Sequence, residues 1–233
     1  MAEVIVALDC PSRREALSIV ERLGHRQNWY KVGLELFTRE GPVVVRELVD
    51  AGKRVFLDLK LHDIPQTVER AVAAASVLGA EMATLHITGG EHMVAAARSA
   101  AEDKVLLLGV TVLTSLSLAD LEVVRGSSVR SMRSEVERLG RIAIDWELSG
   151  VVLSPLEASW ISAMSKGDLA LVTPGIRCGG EDSDDQMRVA TPAQAVEAGA
   201  DFIVVGRPVI GAEDPADALA GIRAETEQAT SAR

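Results

Sequence analysis

Eight short apolar runs, interleaved with helix-forming stretches, constrain this chain more than anything else in it. The runs span residues 4–8, 29–32, 55–59, 82–85, 105–112, 151–153, 169–172 and 202–205. Stretches rich in Ala, Glu, Arg and Leu separate them, for example 13–23, 41–51, 65–78, 91–101, 129–147 and 192–198. Several of these close on glycine (Gly52, Gly79, Gly199), the usual helix stop. Strict alternation of strand and helix implies a parallel sheet. Eight such units without a break in composition predict an α/β fold, a closed (β/α)8 TIM barrel. The rival is a doubly wound open sheet, which usually carries a glycine-rich turn after its first strand. Here that turn is Asp9-Cys10-Pro11-Ser12, and no GxGxxG or Walker loop occurs. A single domain over residues 1–233 is expected, with a last helix continuing past Gly221 and a tail fraying at about 226–233.

Composition narrows the partners. A net charge of −10 argues against nucleic acid or an anionic membrane surface as the main partner. Two cysteines, Cys10 and Cys178, show no CxxC spacing and suit a reducing compartment. The start, Met-Ala-Glu-Val, lacks a basic leader region, and no apolar run reaches membrane-span length. A soluble, cytoplasmic protein is the expectation.

In a barrel of this kind, chemistry sits at the C-terminal ends of the strands, and polar residues gather there repeatedly. Asp9 follows strand one, and Lys31 lies in strand two. Strand three ends in Asp58-Leu59-Lys60-Leu61-His62-Asp63-Ile64-Pro65. Alternation along a strand puts Asp58 and Lys60 on one face. Their neighbours Leu57, Leu59 and Leu61 suit a buried strand, where charges need a reason to be kept. Thr114 follows strand five, Arg177 strand seven, and Gly206-Arg207 strand eight. The last two loops are where barrels commonly hold phosphate; glycine lets the backbone approach closely and arginine offers a forked cation. The glycine-rich, polar loop 175–186 is expected to act as a lid. None of the histidines (His25, His62, His86, His92) forms a metal-binding pair, and His62 is read as packed. No metal site is expected.

These segments resemble the orotidine 5′-phosphate decarboxylase family. The signature is residues 58–65, supported by Val6-Ala7-Leu8-Asp9, Lys31-Val32-Gly33, Leu113-Thr114-Ser115, Thr173-Pro174-Gly175-Ile176-Arg177, Asp184-Asp185-Gln186 and Val205-Gly206-Arg207-Pro208, in order over about residues 4–210. Gln66 departs from the Asn of many members, and the pair Gly179-Gly180 departs within the lid. The resemblance implies cofactor-free, metal-free loss of CO2 from orotidine monophosphate to give uridine monophosphate, the last step of de novo pyrimidine synthesis. It implies a homodimer of barrels with shared sites. Asp58 and Lys60 would serve one site, while Asp63, Ile64 and Thr67 reach into the partner's. Asp9 and Lys31 would bind ribose hydroxyls and complete the charge array, and Thr114 would touch the pyrimidine. Arg177, Gln186, Gly206 and Arg207 would hold the phosphate.

Two rivals are distinguishable. A Mg²⁺-dependent barrel resembling 3-keto-L-gulonate 6-phosphate decarboxylase would carry an acidic ligand on strand two, where this chain has Lys31. A non-catalytic nucleotide sensor would keep Arg177 and Arg207 but has little need for Asp58, Lys60 and Asp63 together.

Overall fold

In the computed structural model, which describes residues 2–178 and 188–231, eight parallel strands close into a barrel. The strands are β1 (Glu3–Ala7), β2 (Trp29–Gly33), β3 (Arg54–Leu61), β4 (Met82–His86), β5 (Leu106–Val110), β6 (Gly150–Val152), β7 (Ala170–Thr173) and β8 (Phe202–Val205). Each pairs with the next, and β1 pairs with β8 to complete the ring. The helices are α1 (Arg13–Leu23), α2 (Leu34–Glu40), α3 (Val43–Asp50), α4 (Pro65–Val77), α5 (Glu91–Ala101), α6 (Leu118–Arg125), α7 (Met132–Asp145), α8 (Ala158–Ser165), α9 (Pro192–Glu197), α10 (Arg207–Ile210) and α11 (Pro215–Ser231).

Local chemistry starts these helices where they are needed. The Ser12 hydroxyl accepts the Glu15 N–H and caps α1 directly after the first strand turn. Pro65 opens α4, where its missing N–H costs nothing. At the C-terminus, helix α11 runs to Ser231 with Thr226 and Ala229 buried.

Strand alternation separates two kinds of core. Ile5, Ala7, Trp29, Phe56, Met82, Leu108, Val172 and Val204 point inward and pack together inside the ring. Their sequence neighbours, such as Val4, Val6, Ala83 and Leu85, point outward under the helices. Burial of each large side chain of this sort contributes roughly 1.5–3 kcal/mol. At the N-terminal end the ring is stoppered. Trp29 meets Phe202 edge to face at 5.9 Å, and the Arg54 guanidinium lies 4.0 Å from the Trp29 ring while pairing with Glu81 at 2.7 Å. Apolar filling of the ring leaves the opposite mouth as the place where polar side chains can gather.

Candidate active site

Asp58 stands where β3 reaches the open mouth. Pairing with β2 is regular as far as Gly33 opposite Asp58. Against β4 the register shifts between Leu57 and Leu61, and Lys60 adopts φ of +49°. Simple alternation, the sequence expectation, is therefore not what brings Asp58 and Lys60 together; a bulge is. Such a kink re-aims a side chain. Here it brings Lys60 Nζ to 2.8 and 3.0 Å from the two Asp58 oxygens. Thr84 on β4 secures both ends of the kink. Its buried hydroxyl donates to Asp58 Oδ1 at 2.9 Å and accepts the Lys60 backbone N–H at 2.8 Å.

Lys31 enters from β2 with only 8% of its surface exposed. Its Nζ donates to Asp9 Oδ1 at 2.8 Å and lies 3.8 Å from Asp58 Oδ2. Asp9, Lys31, Asp58 and Lys60 thus alternate in sign along the rim. Burial pushes the Asp58 carboxyl up, but the charges of Lys31 and Lys60 and the hydrogen bonds from Lys60 and Thr84 outweigh it, and the group stays below its ordinary value. Nearby, burial, His62 and Lys60 push the His86 imidazole below its ordinary 6.5, so it is neutral at pH 7.

A cavity of about 460 Å³ opens over this array. The inner cluster contributes Ala7, Phe56, Val152 and Val204 to its lining, the loops contribute Leu113, Thr114, Pro174, Arg177 and Gly206, and Arg207 joins them from the start of α10. Among the described residues, a Cβ added at Gly206 would meet Ala7 and Asp9, both at 3.6 Å, an ordinary contact distance. Asp9, Lys31, Asp58, Lys60, Thr114, Arg177, Gly206 and Arg207, eight of the residues singled out from sequence, therefore share one cavity. Its chemistry is that of a charged, directional pocket: cations for an anionic ligand, carboxylates for hydroxyls or to fix an ammonium, and an apolar floor for a flat ring.

Other expected residues lie elsewhere. Asp63, Ile64 and Thr67 do not line this cavity. The Asp63 carboxylate accepts the Ile64 N–H at 2.6 Å, and Ile64 is 66% exposed. Gln186 and most of the expected lid lie outside the described residues. His62 is not packed as expected; it is exposed and faces His86 with ring centroids 5.3 Å apart. Thr84 was missed by sequence reasoning. Its only signal is a hydroxyl at the inward position of β4, two residues after the inward-facing Met82. No helix among the described residues is long and apolar enough to cross a membrane.

The family model for the orotidine 5′-phosphate decarboxylase / HUMPS family matches residues 2–222. The chain belongs to this family. Among its relatives, the orotidine 5′-phosphate decarboxylase of Opitutus terrae is 47% identical over 226 residues, spanning 96% of this chain and 97% of its own. That of Salmonella typhimurium is 45% identical and spans 97% of this chain and 93% of its own. The crystal structure of orotidine 5′-phosphate decarboxylase from Lactobacillus acidophilus superposes with a TM-score of 0.86 at 36% identity, covering 97% of this chain and 99% of that one. The likeness to this family thus extends over nearly the whole chain.

Proposed function

We propose that this chain converts orotidine 5′-monophosphate to uridine 5′-monophosphate and CO2 without metal or cofactor, with Lys60 as cation and proton donor. The observation that carries this is the alternating Asp9–Lys31–Asp58–Lys60 row bordering a cavity that also holds Arg177 and Arg207. Family membership and the decarboxylase names of full-length relatives support the substrate.

Breaking the bond to the carboxylate leaves its electron pair on a ring carbon with poor delocalisation. A cation already held in place stabilises that developing charge without reorganising at the moment of reaction. Lys60 is held by Asp58 on one side and by its bulged backbone on the other. It then transfers a proton to the ring carbon, leaving a neutral amine that regains a proton from solvent. Asp58 beside the substrate carboxylate repels it in the ground state, and that repulsion fades as CO2 departs. Asp9 and Lys31 take the ribose hydroxyls, and Thr114 meets the pyrimidine. Arg177, Gly206 and Arg207 hold the phosphate, whose binding energy supports the reaction at the other end of the substrate.

The active unit in this reading is a homodimer, in which Asp63, Ile64 and Thr67 complete the neighbouring site. Their exposure, and a cavity lining in their own chain that does not include them, support this. The test of activity is loss of orotidine monophosphate absorbance in metal-free buffer. Lys60→Ala is expected to lower turnover by about 10²–10³-fold; turnover that persists in Lys60→Ala removes Lys60 from its role. For the shared site, Lys60→Ala and Asp63→Ala homodimers are each impaired, and mixed dimers, with one site free of both lesions, regain part of the activity. Confirmed mixed dimers that stay inactive overturn the assignment of Asp63 across the interface.

A further inference from the structure

Arg188 is a largely buried cation outside the charge row, with 14% of its side chain exposed, and its guanidinium faces two other segments, the loop after β5 and the turn after β6. Toward the loop after β5, Nη1 donates to Leu116 O at 3.1 Å, and Nη2 donates to Leu113 O at 3.0 Å and to Val112 O at 3.4 Å. Toward the turn after β6, Nε faces Glu157 Oε1 at 3.3 Å, and the Ser154 hydroxyl donates to the Arg188 carbonyl at 3.4 Å. Glu157 is itself anchored, its Oε2 accepting the Ser154 N–H at 3.0 Å.

The third loop is the one that carries Arg188. Two residues on, Ala190 O accepts the Arg177 N–H at 3.0 Å, and the Ala190 N–H donates to Gly175 O at 3.1 Å. Arg177 is thus in backbone register with the segment that Arg188 pins. At the far side of the same guanidinium, Thr114 follows directly on Leu113, whose carbonyl Arg188 holds. Both Arg177 and Thr114 line the cavity.

The Glu157–Arg188 contact is a poor source of stability. By distance it is an ion pair, but its two facing atoms make no aligned hydrogen bond, and both are buried. Buried pairs of this quality recover little of their desolvation cost. Burial also pushes the Glu157 carboxyl up, which the Arg188 charge opposes. What the arrangement does supply is geometry: a rigid planar fork ties the loop after β5 and the turn after β6 to the segment that carries it, as a flexible ammonium could not.

We infer that Arg188, backed by Glu157, is a positioning residue that sets the separation between Arg177 and Thr114, and so the distance at which phosphate and base are gripped together. This rests on the decarboxylase reading. The experiment is a set of double-mutant cycles on kcat/KM for orotidine monophosphate, run well below each variant's Tm. Arg188→Lys, which keeps the charge and loses the fork, is expected to lower kcat/KM roughly 10–100-fold. In that background Arg177→Ala and Thr114→Ala each cost several-fold less than in the wild type, because the alignment they depend on is already lost. A residue that only stabilises the fold lowers Tm and leaves the effects multiplicative; that result overturns the inference. Should Arg188→Lys not fold, Glu157→Gln takes its place in the cycles, where smaller costs again support the inference and multiplicative costs overturn it. A wild type that does not turn the substrate over defeats the decarboxylase reading and this inference with it. An active wild type with multiplicative cycles defeats this inference alone.

Discussion

The Thr84 hydroxyl donates to Asp58 Oδ1 at 2.9 Å and at the same time accepts the backbone N–H of Lys60 at 2.8 Å. One side chain on β4 therefore holds both the carboxylate and the kinked backbone of β3. Thr84→Val keeps the shape but removes both bonds, leaving the Lys60 N–H without its acceptor. A buried donor left so costs about 1–3 kcal/mol. The expected outcome is a drop in stability of that order by urea unfolding, with kcat lowered roughly 10–100-fold as the Lys60 ammonium drifts. Thr84→Ser restores both. If Thr84→Val keeps full kcat, the hydroxyl does not position Lys60.

Acid should weaken the fold partly through Asp58. Its carboxyl lies below the ordinary 3.8 in the folded chain because Lys31, Lys60 and Thr84 outweigh burial. As pH falls, the unfolded state takes up this proton first. The contribution is therefore complete above the ordinary carboxylate pKa and is lost as pH falls through the lower folded-state value. Asp58→Asn should be destabilised at neutral pH, and its deficit relative to the wild type should shrink on acidification below about pH 4. Urea midpoints of the two proteins measured against pH provide the check; a deficit that stays constant down to about pH 3 contradicts it.

Gly33 makes room for the charge row. A Cβ there would lie 2.8 Å from Lys31 Nζ and 3.1 Å from Asp9 Oδ1. The obstacle is the end of a flexible side chain, so Gly33→Ala should fold with nearly unchanged Tm. Its kcat/KM should nevertheless fall roughly 10–100-fold, because Lys31 must leave its place between two carboxylates. Calorimetry alongside steady-state kinetics separates these effects; a large loss of Tm would point to packing instead.

Gly150 is the contrasting case. A Cβ there would lie 2.3 Å from the Ala170 carbonyl oxygen and 2.9 Å from its Cβ, an obstacle of backbone on the paired strand. Gly150→Ala should cost about 3 kcal/mol or more, through strain in the β6–β7 ladder. Chemical denaturation measures it, and a cost under about 1 kcal/mol would mean that the ring gives way easily there.

Much of the barrel is legible in the sequence because its periodicities are local. The helices at 13–23 and 91–101 begin and end where the composition places them. Helix α2 escapes notice because its seven residues, squeezed between Gly33 and Gly41, make fewer than two turns and show no full amphipathic repeat. Asp9, Lys31, Asp58 and Arg177 are legible as polar breaks at strand ends. The kink at Lys60 is not, since a period of two presumes a regular ladder and the register shift depends on β4. Thr84 and Arg188 are hidden for a related reason. Each acts on partners far along the chain, Thr84 on Asp58 at 26 residues and Arg188 on Leu113 at 75, where spacing in sequence carries no signal.

Lys60 occupies φ of +49°, a backbone region that glycine enters freely and a lysine enters at a cost of about 1 kcal/mol. Glycine would relieve that strain, but it would also take the ammonium away from the Asp58 carboxylate that it holds at 2.8 Å. A buried charge stripped of a partner costs more than the strain relieved. The strain at residue 60 is therefore locked in by the charge beside it, and the backbone there cannot be relaxed without unsettling the carboxylate.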